Sequence, residues 1–167
     1  MKQEKYTISI LVNNQPGVLQ RVAGLFARRG YNIESITVGS SEEQGLSRMI
    51  IVTTGDDKIV EQISKQLYKL IDVIKVVELS SNSTVSRELA LIKVGIEVEQ
   101  RQQIFGIVET FRASVVDVGS KTMMVQVVGG TDKVDAMIEL LKPFGITGLS
   151  RTGVTALRRG LSQQKTN

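Results

Sequence analysis

Asn13-Asn14-Gln15-Pro16-Gly17-Val18-Leu19-Gln20-Arg21-Val22-Ala23-Gly24-Leu25-Phe26-Ala27-Arg28-Arg29-Gly30-Tyr31-Asn32-Ile33 joins one strand to another through a helix. Thr7-Ile8-Ser9-Ile10-Leu11-Val12 before it alternates and reads as a strand. Apolar residues at 18, 19, 22, 25 and 26 form the one-sided stripe of an amphipathic helix. Pro16 suits a first helical turn, so the helix is expected over Pro16–Arg29, and Gly30 stops it. Ile33–Val38 then alternates as a second strand.

The strand–helix junction carries the chemistry. The N–H groups of Gly17, Val18 and Leu19 are expected to lack intrahelical partners, and the helix dipole adds positive potential there. A small carboxylate fits such a place as well as a phosphate does. Gly17 leaves room for a ligand backbone, and Asn14 offers both a donor and an acceptor. A free amino acid could use all of these features. The same residues also make an ordinary turn and cap, and spacing alone does not choose between the two.

Outward from this stretch, Leu46–Thr54 reads as a strand after a polar, turn-rich Gly39–Gly45. Lys58–Leu70 reads as a helix that Asp56 and Asp57 turn into and cap, and Val73–Glu78 as a strand. The order is βαββαβ, a ferredoxin-like unit. Ser80-Ser81-Asn82-Ser83-Thr84 is a small, polar boundary, after which the order recurs. Strands are expected at Arg87–Val98, Ser114–Val118 and Thr122–Val128, helices at Gln102–Phe111 and from Thr131 to Leu141, and a short last strand at Ile146–Ser150. Thr131 is the expected cap of the second of these helices. The fold class is therefore α+β, two ferredoxin-like units in tandem. The division expected is 1–79, a linker at 80–84, 85–153, and a frayed basic tail at 154–167.

Composition narrows the function. The 167 residues include no Cys and no His, which removes disulfides, zinc sites, thiol nucleophiles and His-based general bases. Glu42-Glu43 and Asp56-Asp57 are sequence neighbours, not a facing dyad, so a self-standing enzyme is not expected. The net charge of +4 is mild, although Lys142, Arg151, Arg158, Arg159 and Lys165 follow Glu139 with no acidic residue among them. With 4% aromatics and none paired on central strands, RNA binding is disfavoured. No apolar run approaches a membrane span, and the N-terminus lacks a signal-peptide core. The expectation is a cytoplasmic protein with neither a nucleic acid nor a membrane as partner.

The segments Asn14–Phe26, Arg29–Val38 and Leu46–Met49 resemble the small regulatory subunit of acetolactate (acetohydroxyacid) synthase. So do Gln62–Leu70, Asp72-Val73 and Arg87-Glu88-Leu89. The resemblance implies that the first unit is an ACT domain, an amino-acid-sensing module that pairs side by side with a second copy. It implies a non-catalytic chain that binds and activates the large catalytic subunit of a transferase and confers feedback inhibition by valine. That enzyme starts valine, leucine and isoleucine synthesis. Thiamine diphosphate, magnesium and FAD would sit on the catalytic subunit. Asn14, Gly17, Val18 and Leu19 would hold the effector, with Asn32 and Ile33 supplied by the partner protomer. The alternative is a free-standing sensor that controls another enzyme or transcription. Gly17→Asp is expected to abolish valine inhibition or shift it to much higher concentration, while changing fold stability by no more than about 1 kcal/mol.

Overall fold

The structure, a computed structural model, describes residues 4–79 and 83–160. The chain forms two units, one running to Val85 and resuming at Val154, the other Ser86–Gly153.

The first unit contains β1 (Glu4–Asn13), α1 (Val18–Arg28), β2 (Ile33–Ser40), β3 (Leu46–Gly55), α2 (Asp57–Leu67) and β4 (Val73–Leu79). Its sheet order is β2-β3-β1-β4, with every neighbouring pair antiparallel. Strand alternation sends Ile8, Ile10 and Val12 of β1 and Met49 and Ile51 of β3 to one face. There they meet Val18, Val22, Leu25 and Phe26 of α1 and Val60, Ile63 and Leu67 of α2. Phe26 and Tyr31 close one end edge to face, with centroids 6.5 Å apart. Asp56 caps α2 by accepting the Ile59 N–H at 2.9 Å.

The start of α1 differs from the expectation. Gly17, at φ 83° and ψ −7°, is the residue before the helix, which begins at Val18 and not at Pro16. Gln15-Pro16-Gly17-Val18 is a type II turn, with the Val18 N–H donating to the Gln15 carbonyl at 3.4 Å. A Pro-Gly pair satisfies that turn better than it satisfies a helix, because the third turn residue must be left-handed. Likewise Gly130, not Thr131, occupies the cap position of the last helix.

The second unit repeats the order with β5 (Thr84–Gly95, which begins in the first unit), α3 (Arg101–Thr110), β6 (Ser114–Val118), β7 (Thr122–Gly129), α4 (Thr131–Leu141) and β8 (Ile146–Arg151). Its sheet order, β6-β7-β5-β8, matches that of the first unit position for position. Its core joins Ala90, Ile92, Val94, Met123, Val125 and Val127 to Ile104, Val108, Val134, Met137 and Leu141. Two tandem ferredoxin-like units are therefore the architecture.

The frayed tail is a second correction. Val154 onward returns to the first unit, and Thr155–Arg158 is a ninth strand, β9. Ala156, 4% exposed, lies against Ile50 and Leu79 on the sheet face opposite the helices. Thr37 Oγ1 donates to the Val154 carbonyl at 3.1 Å, Arg158 Nη2 to the Glu78 carbonyl at 3.2 Å, and the Arg159 N–H to the Ser83 carbonyl at 2.7 Å. The strand was missed because it is short and its anchors are distant in sequence. The remainder of the tail, 161–167, and residues 80–82 of the expected linker lie outside the described residues, while Thr84 is already in β5.

Candidate functional site

The β1–α1 junction is held from three directions. The Asn13 N–H donates to the Asp72 carbonyl at 2.9 Å, the Asn14 N–H to the Gly45 carbonyl at 2.9 Å, and the Gln15 N–H to the Asn13 carbonyl at 3.1 Å. The first α-helical bond runs from the Arg21 N–H to the Gly17 carbonyl at 3.0 Å. The Leu19 and Gln20 N–H groups point out of the helix start without an intrahelical partner. The Val18 N–H does not share that freedom, since the turn uses it.

Asn14, Gly17 and Leu19 are exposed together here, while the Val18 side chain is core, 3% exposed, and can offer a ligand only its backbone. Arg21 completes the surroundings. Its Nε donates to Asp72 Oδ2 at 2.8 Å, and its Nη2 lies 2.7 Å from the same oxygen. A Cβ on Gly17 would stand 3.0 Å from Arg21 Nη1. The junction thus carries free N–H groups and a helix dipole, both favourable to a carboxylate, while the charge of Arg21 is balanced by Asp72. Sequence reasoning missed Arg21 and Asp72. Arg21, four residues after Gly17, shares its helix face and could have been found, whereas Asp72 is 51 residues further on and left no local signal.

Asn32 and Ile33 lie elsewhere in the same protomer. Ile33 pairs with Thr53, which stands opposite Tyr6, whereas Asn13 stands opposite Leu46. Seven strand residues separate the two levels, roughly 24 Å. Asn32 is exposed, with its carbonyl accepting from Thr53 Oγ1 at 2.6 Å, and Ile33 is half-buried against the core. Next to them Glu34 accepts from Lys5 Nζ at 2.7 Å and Thr54 Oγ1 at 2.7 Å. The Lys5 contact, followed by that from Thr54, holds the Glu34 carboxyl below the usual carboxylate range. One protomer therefore brings Asn14, Gly17, Val18 and Leu19 together and leaves Asn32 and Ile33 at the far end of β2.

The two sheet edges differ. On the β4 edge, the Tyr68 hydroxyl donates to the Val76 carbonyl at 3.1 Å and accepts the Val76 N–H at 3.2 Å, occupying that edge with a side chain. Among the described residues, the β2 edge pairs with β3 on one side only.

Comparison with known proteins agrees with this architecture. Residues 8–75 match the family described as AHAS small subunit-like ACT domain, and residues 87–160 match the small subunit of acetolactate synthase. A probable acetolactate synthase small subunit of Methanothermobacter thermautotrophicus is 53% identical over 161 residues, covering 96% of each chain. The acetolactate synthase small subunit of Bacillus subtilis is 52% identical over 161 residues, covering 96% of this chain and 94% of its own. The crystal structure of the acetolactate synthase small subunit from Thermotoga maritima superposes with a TM-score of 0.90 at 46% identity, covering 95% of this chain and 99% of that one. Two ferredoxin-like units in this order, with an ACT domain first, place the chain in the acetolactate synthase small-subunit family.

Proposed function

We propose that the chain activates the thiamine-diphosphate-dependent catalytic subunit of acetolactate synthase and makes it sensitive to valine. The carrying observation is the split site. Its two halves, at the β1–α1 junction and at the start of β2, lie at levels that match opposite ends of β2, and β2 is an edge strand. Antiparallel pairing of β2 with β2 of a second copy places the Asn32 end of one strand beside the Ser40 end of the other. That end is level with Asn13 of β1, with β3 between them, so each two-fold pair would bring the two halves to the same level at two places. The carboxylate of an amino acid would meet the Leu19 and Gln20 N–H groups, Asn14 would take its polar backbone, and Leu19 and Ile33 would flank a branched aliphatic side chain.

The direct experiment mixes the chain with an acetolactate synthase large subunit and assays acetolactate formation with and without valine. Activation that valine reverses is expected, along with a dimer mass for the isolated chain by light scattering. The chain alone, supplied with thiamine diphosphate and magnesium, should form no acetolactate. Unchanged activity of the large subunit on mixing would refute the reading.

A further inference from the structure

Asp72 grips the β1–α1 junction from both sides. Its backbone carbonyl accepts the Asn13 N–H at 2.9 Å, just before the junction, and its carboxylate holds Arg21, in the helix just after it. Between those two ties lie Asn14, Gly17, Val18 and Leu19, with the Leu19 and Gln20 N–H groups that have no intrahelical partner. The side chain of Asp72 is 7% exposed, whereas that of Arg21 is 47% exposed. The buried acid is therefore the fixed member, and it holds in place a long cation that would otherwise sample many rotamers. Asp72 is itself set by backbone. The Lys69, Leu70 and Val73 N–H groups around it donate to the Gln66, Leu67 and Leu70 carbonyls at 3.1, 3.0 and 3.0 Å.

Arg21 is committed to this bridge. Its Nε and Nη2 both face Asp72 Oδ2, at 2.8 and 2.7 Å, and its Nη1 stands over Gly17, 3.0 Å from the place a Cβ would take there. One guanidinium thus ties the Asp72 loop to the Gly17 turn, and that turn sets where the Leu19 and Gln20 N–H groups aim. Donors arranged around a small anion must be held to within about 0.5 Å to grip it. We propose that Asp72 is a positioning residue for the effector site, acting through Arg21 and setting the amino-acid concentration to which the subunit responds. This rests on the reading above that the junction takes the effector.

The test follows acetolactate formation by the complex of full-length chain and catalytic subunit over a valine series. Wild type, Asp72→Asn, Arg21→Gln and the double variant are compared, each read against its own uninhibited rate. Each single substitution should raise the half-inhibitory valine concentration about tenfold, with inhibition at saturating valine retained. The double variant should do no worse than either, because the two residues act as one unit. Asp72→Glu keeps the charge but displaces it by one methylene; it should shift the concentration the same way, and it carries the test if Asp72→Asn does not fold. Glu88→Gln is the control. It breaks a pair of the same kind in the second unit, where Arg151 Nε and Nη2 donate to Glu88 at 2.7 and 2.8 Å, and should leave the valine concentration as in wild type. A matching shift in Glu88→Gln would reduce the effect to lost stability and overturn the proposal. A tighter valine response in Asp72→Asn would overturn it too, by making the released Arg21 a direct ligand of the carboxylate. Unchanged curves for the variants beside an inhibited wild type would overturn the positioning role alone. If the wild-type complex ignores valine, the effector reading itself falls and takes the positioning role with it.

Discussion

Arg21 holds Asp72 through Nε and Nη2, at 2.8 and 2.7 Å from one carboxylate oxygen, and keeps Nη1 over Gly17. The pair joins the first turn of α1 to the loop before β4. Arg21→Met should leave a nearly buried carboxylate without its cation and lower stability by about 1–3 kcal/mol, readable in a urea melt. Arg21→Lys should recover only part of this, because an ammonium cannot hold Asp72 and cover Gly17 at once. A melt of Arg21→Met matching wild type would show the pair to be ornamental.

Gly17→Asp should cost more stability than its helix position alone suggests. At φ 83° any L side chain is strained, by about 1–2 kcal/mol, although Asp tolerates the region better than most. Its Cβ would also press on Arg21, 3.0 Å away. The earlier expectation of little change considered only the dipole. The variant should still fold and activate the catalytic subunit, but the new carboxylate should occupy the anion position and raise the valine concentration needed for inhibition. Wild-type valine inhibition of the folded variant would remove the junction from the effector site.

Ala156→Glu would bury a charge between Ile50 and Leu79. A loss of about 2–3 kcal/mol is expected, and a chain ended after Gly153 should be destabilised in the same direction. Leu157→Glu, one residue on and 60% exposed, serves as the control and should be nearly neutral. Equal melts for all three variants would mean that β9 contributes nothing to the first unit.

Glu34 gives the chain a defined acid dependence. Its pKa in the folded state lies below its ordinary value, owing to Lys5 first and Thr54 next. The folded state thus favours the ionised form, and the stabilisation is complete above the unfolded pKa and lost as pH falls through the folded one. Glu34→Gln should flatten the decline of stability on the acid side while changing nothing in the slope above neutrality. An unaltered acid limb in the variant would assign the dependence to other carboxylates.

The order βαββαβ, its repetition and most element bounds were legible locally, because strand and helix periods and Gly stops act within a few residues. The clustering of Asn14, Gly17 and Leu19 followed from the same local rules, since one turn of chain carries all three. Tertiary structure decided what depends on distant residues. Asp72, far along the chain, reaches the Gly17 turn through the Asn13 N–H and Arg21. Ala156 turned a tail into a strand because Ile50 and Leu79 left an apolar face for it. The separation of Asn32 from Asn14 was also settled there, by the antiparallel register of β1, β2 and β3. Strand register is fixed by which face is buried across the whole sheet, and no window of sequence contains that information.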